Sequence, residues 1–130
     1  MSYGDISEEE KRFITEYISS VEQLEVLLFL HGNSNKGWTA IELVREMRID
    51  PVSAATRLED LHSHGFLATN GSVPPIYQYN PKLTEQDRTV NSIAKTYTQH
   101  RYTIINLIFS KPIDKIRTFG VAFKLKKEGG

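Results

Sequence analysis

The chain has 130 residues, no cysteine, 25% charged residues and a formal net charge of zero. That length suits one domain able to bury its own core, the missing cysteines exclude disulfides and thiolate metal sites, and the neutral sum argues against a generic polyanion binder. The charge is unevenly spread, with seven acids and two bases in residues 1–25, five and four in 26–80, and four and ten in 81–130. Such asymmetry allows a local basic surface or the pairing of unlike ends between chains. The start, MSYGDISEEEKRF, is acidic and lacks an apolar signal-peptide region. The apolar runs VLLFL from Val26 and LIF from Leu107 fall far short of a membrane span, so the expected location is cytoplasmic, away from any membrane.

Taken in chain order, Ser7 through Glu10 has the capping-box spacing, and Phe13, Ile14, Tyr17 and Ile18 recur at helical intervals, which predicts a first helix over about 8–18. Ser19-Ser20 caps a second, VEQLEVLLFLHG, stopped by Gly32 and apolar enough to be central to the core. Thr39 and Glu42 repeat the capping-box spacing ahead of a short helix carrying Ile41, Leu43, Val44 and Met47. Asp50 is placed as an N-cap with Pro51 at the first helical position, which predicts a helix over about 51–64 whose inner face is Ala54, Leu58 and Leu61. The few residues between the two helices match a helix-turn-helix connection. FLATNGSVPPIYQYNP then reads as a strand over Phe66 to Thr69, a turn at Asn70-Gly71, a proline pair, and a strand over Ile76 to Tyr79.

Beyond residue 81 the pattern returns to helix. Thr84 is placed as a cap, and Val90, Ile93, Ala94, Tyr97, Ile104, Ile105 and Ile108 fall near one stripe up to Lys111-Pro112, consistent with a helix of more than about 25 residues. A helix that long overruns a preceding region of about 60 residues, so a second chain is expected on part of it. The end, IDKIRTFGVAFKLKKEGG, spaces Ile116, Phe119 and Phe123 among basic residues as an amphipathic helix fraying into a tail.

The order of three helices, strand, loop and strand, with DPVSAATRLEDLHSHGFL at its centre, resembles the winged helix-turn-helix domain of small bacterial transcriptional regulators. The resemblance covers residues 20–80, about half the chain, and the tail SKPIDKIRTFGVAF is similar to the ends of small bacterial winged-helix proteins. It implies a mainly α (α+β) fold with a two-stranded wing and additional N- and C-terminal helices: an N-terminal helix in 1–19, the winged core in 20–81, and dimerising helices with a basic tail in 82–130. It further implies a homodimer that binds double-stranded DNA in a sequence-specific way to regulate transcription. By that carry-over Ser53, Thr56 and Arg57 face the major groove, with Arg57 as the guanine reader. Thr39 holds phosphate at a helix start, and Asn70, Gly71 and Ser72 form the wing tip. Apart from the resemblance, the basic cluster Lys124, Lys126 and Lys127 is expected to run along the phosphate backbone if the tail folds back. From their apolar stripes, Phe13, Tyr17, Val90, Ile93, Tyr97, Ile104, Ile105, Ile108, Ile116, Phe119 and Phe123 are expected to form the dimer interface.

The wing contains no Lys or Arg, and Glu59 and Asp60 would repel phosphate if they faced outward. These features point to the alternative, a winged-helix module that binds a protein partner and no DNA. No enzyme is expected, since no cysteine nucleophile, glycine-rich phosphate loop, GxSxG or HExxH is present. No cofactor or metal is expected either. His62 and His64, two apart on a helix, point in different directions and cannot share an ion, while His31 and His100 are isolated in sequence.

Overall fold

Four side-chain caps set the helix starts in the first half of the molecule, which the computed structural model describes over residues 6–110. Ser7 opens α1 (Glu8–Tyr17): its Oγ accepts from the Glu10 amide at 3.1 Å, and the Glu10 carboxylate accepts from the Ser7 amide at 3.0 Å. Ser20 opens α2 (Val21–Gly32), whose Leu24, Val26, Leu27 and Leu30 are fully buried, so this helix runs through the centre of the core. Thr39 and Glu42 close a second capping box at the head of α3 (Ala40–Met47).

Helix α3 ends at Arg48, which adopts the left-handed conformation (φ 58°, ψ 47°) and so turns the chain within three residues toward the next helix. Asp50 caps that helix, α4 (Pro51–Ser63), by accepting from the Val52 and Ser53 amides at 2.9 and 3.1 Å. Pro51 sits where its missing N–H costs nothing. At the far end Gly65 (φ 90°) donates to the His62 carbonyl and Phe66 donates to that of Leu61. These paired bonds satisfy the last carbonyls of the helix and need a residue free to take a positive φ. Ala54, Leu58 and Leu61 are fully buried, as their spacing predicts.

The wing is an antiparallel pair, β1 (Leu67–Thr69) and β2 (Tyr77–Tyr79), with Leu67 opposite Tyr79 and Thr69 opposite Tyr77. The region before α3 adds a short third rung: Trp38 and Tyr77 exchange two backbone hydrogen bonds of 2.7 and 2.8 Å. Gly37 permits it, since a Cβ there would collide with the Ile76 side chain. The wing is thereby fixed to the start of the helix-turn-helix.

The C-terminal region departs from the single long helix expected. It is two helices, α5 (Thr84–Gln99) and α6 (Arg101–Phe109), meeting at His100 (φ −132°, ψ 48°). A straight helix over 84–109 would run about 39 Å at the usual rise. The break turns Ile104, Leu107 and Ile108 back into the core, beside α1. Thr84 is the first helical residue rather than the cap; Leu83 holds that place without a side-chain bond.

Helix α1 packs across α5 and α6. Phe13 meets Phe66 at 5.3 Å between ring centres, as does Tyr17. The buried residues from Ile6 to Ile108 form one cluster, so the three expected segments share a single core. Among the described residues no helix is long and apolar enough to cross a membrane.

Candidate nucleic-acid interface

With Ala54, Leu58 and Leu61 turned into the core, the 3.6-residue period places the outward strip of α4 at Val52, Ala55, Thr56, Glu59 and Ser63, all of which are exposed. Val52 is 73% accessible. This strip lies beside the wing: Ala55, Leu58 and Glu59 line one side of an apolar hollow of about 200 Å³, and Pro74, Pro75 and Tyr77 line the other.

Among the residues expected to touch DNA, Thr56 stands on the strip, Ser53 on its flank, and Asn70, Gly71 and Ser72 at the exposed end of the hairpin. Asn70 Oδ1 accepts from the Ser72 amide at 3.1 Å and from its hydroxyl, so the wing tip is a self-bonded turn. Arg57 does not stand out from the helix. It lies against α2, where its Nε donates to Glu22 Oε1 at 2.8 Å, and both side chains are about three-quarters or two-thirds covered (24% and 31% accessible). An arginine held sideways in this way is a poorer guanine reader than its position in the sequence suggests. Thr39 is likewise occupied: its hydroxyl accepts from the Glu42 amide, and its own amide donates to the Glu42 carboxylate at 2.9 Å. A carboxylate therefore already sits where a phosphate would bind at the head of α3, and Asp50 does the same for α4. Lys124, Lys126 and Lys127 lie outside the described residues, as do Ile116, Phe119 and Phe123.

The charge around this face is mixed. Arg45 and Arg48 are exposed at the end of α3. Lys36 lies 4.0 Å over the Trp38 ring and 3.7 Å from Glu42. Glu59 is exposed on the strip, but it is anchored: the Tyr77 hydroxyl donates to its Oε2 at 2.5 Å. Burial, followed by that hydrogen bond and the Glu59 charge, pushes the Tyr77 phenol up to about 12, so at neutral pH it remains a donor. Val52 and Ala55 carry no polar atoms by which residue type would single them out as readers, and by type Glu59 reads only as a charge that repels phosphate. The signal that finds them is the phase of the helix, since the inner face at 54, 58 and 61 dictates the outer one.

The apolar stripe expected to meet a second chain is largely used within this one. Phe13, Val90, Ile93, Ile104 and Ile108 are at most 7% accessible and belong to the chain's own core, so their spacing needs no partner to explain it. Tyr17, Tyr97 and Ile105 are half-buried, and the Tyr97 hydroxyl donates to Glu25 at 2.8 Å. The large apolar groups left exposed on α6 are Tyr102 (82%) and Phe109 (71%). The histidines are occupied separately: His62 meets the Tyr77 ring edge-on, His64 packs near Tyr17 and Phe66, and His31 Nε2 lies 2.5 Å from Asn91 Oδ1. Among the described residues no three His, Asp or Glu side chains gather as a metal site.

A helix-turn-helix of α3 and α4, a hairpin wing fixed to it and flanking helices at both ends define a winged helix-turn-helix protein. Three crystal structures of MarR from E. coli share this fold. The reduced form matches with a TM-score of 0.51 at 17% identity, over 88% of this chain and 85% of that one. A cysteine-to-serine mutant of it matches with a TM-score of 0.50 at 18% identity, over 93% and 88%, and the apo wild type with 0.50 at 16%, over 88% and 85%. At these identities the likeness is one of fold, and it extends through the terminal helices as well as the winged core. No protein-family model and no curated protein matches the sequence.

Proposed function

We propose that this protein is a sequence-specific, double-stranded DNA-binding transcriptional regulator that acts as a homodimer. The observation that carries the reading is the outward strip of α4, whose Val52, Ala55, Thr56 and Glu59 are exposed beside a wing anchored to the same helix. In a winged helix-turn-helix the second helix of the motif enters the major groove, and a two-fold dimer sets two such helices about one turn of DNA apart. Arg45 and Arg48, exposed at the end of α3, are candidate phosphate contacts, with Lys124, Lys126 and Lys127 of the tail as further candidates. The exposed Tyr102 and Phe109 on α6 offer the second chain its apolar contact.

Affinity for a randomised duplex, measured by fluorescence anisotropy across a salt series, tests this reading. Binding that weakens steeply with salt is expected. Absence of binding even at low salt would refute it and leave the winged face as a protein-binding surface.

A further inference from the structure

We infer that α4 reads its site through thymine methyl groups and one cytosine amino group, with Val52, Ala55 and Thr56 supplying the methyl contacts and Glu59 accepting from cytosine N4. This inference rests on the DNA-binding reading above and assigns its specificity.

The strip has an unusual make-up for a groove-facing surface. Val52 and Ala55 have no polar side-chain atoms, Thr56 presents a methyl beside its hydroxyl, and Arg57 is drawn aside by Glu22. In the major groove the one apolar feature a base pair presents is the thymine C5-methyl, and small apolar side chains are its ordinary partners. From Val52 to Glu59 the helix rises about 10 Å, which spans roughly three base-pair steps.

Glu59 narrows the reading further. A carboxylate can only accept, so facing base edges it needs an exocyclic amino group, and cytosine N4 is its usual partner. Tyr77 holds Oε2 from the wing, which leaves Oε1 for the base and fixes the carboxylate in place. A phenol is protonated throughout the neutral range, so Tyr77 keeps that hold. Tyr77 is thus a positioning residue, acting on DNA through Glu59.

The test is selection of binding sites from a randomised duplex library, followed by affinity measurements on the enriched site. Replacing each contacted thymine by uracil should weaken binding about fourfold per methyl removed. That penalty should vanish at one position in Val52→Ala. Glu59→Gln should move the preference at one position from cytosine to adenine, which glutamine can contact bidentately; Tyr77→Phe should blur that cytosine preference while leaving the uracil penalty intact. An enriched site indifferent to uracil, or Glu59→Gln that lowers affinity equally on all sequences, would overturn the inference and leave DNA binding standing. A library that yields no enriched site, with no binding at low salt, would take both readings down.

Discussion

At the residue scale, the most consequential polar group outside the winged face is Glu10. It is 3% accessible, yet it closes the α1 capping box and accepts from the hydroxyls of Ser92 and Thr96, the latter at 2.8 Å, so one carboxylate ties α1 to α5. Burial works to raise its carboxyl, and the hydrogen bonds from Ser92, Ser7 and Thr96 together outweigh it, leaving the group below its ordinary value of 4.5. A carboxyl lowered on folding contributes stability above its unfolded value and loses that contribution as pH falls through its folded value. Stability should therefore decline below about pH 4.5, and Glu10→Gln should flatten that decline while costing about 1–3 kcal/mol at neutral pH. Urea unfolding of both proteins across the acid range measures this; parallel profiles would show that Glu10 is not the group responsible. Serine at position 7 and glutamate at 10 announced the capping box in the sequence, but the bonds to Ser92 and Thr96 join residues more than 80 positions apart, which no local pattern records.

At the element scale, α4 was readable in the sequence from end to end, because its cap, its N1 proline, its inner stripe and its terminal glycine all agree. Its outward chemistry was less readable. Arg57 has a reader's place in the sequence, whereas the fold sets Glu22 of α2 beside it, a tertiary contact across 35 positions. The C-terminal helices show the converse. The apolar stripe from Val90 to Ile108 was visible, but the break at His100 was not, since neither proline nor glycine marks it; without the break, the stripe called for a second chain. The Asp50 cap adds a trade-off that can be measured. Asp50→Ala should cost about 1 kcal/mol of stability through the two lost cap bonds. It should also strengthen non-specific duplex binding, because it frees two amides and removes a negative charge at the start of the helix. Thermal unfolding and anisotropy on the same variant check both halves, and an unchanged or weaker affinity would place the start of α4 away from the phosphates.

At the scale of the whole molecule, α1, α5 and α6 complete the core of the winged domain. Phe13 and Tyr17 cover Phe66, and Ile93 and Ile104 are fully buried. A chain truncated after Asn80 should consequently fail to fold, rather than persist as a free winged domain; a cooperative unfolding transition in that fragment would contradict the shared core. Dimerisation is expected to run through the exposed part of α6, so Tyr102→Glu with Phe109→Glu should yield monomers in sedimentation while leaving the thermal transition of the fold in place. A dimer that survives both changes would move the interface elsewhere. DNA binding in the proposed mode requires that the α4 strip and the wing meet the duplex. Amide hydrogen exchange, with and without a selected duplex, tests that most directly. Slowed exchange within residues 51–63 and 67–79 is the expected result, and protection confined to residues 111–130, or none at all, would contradict it.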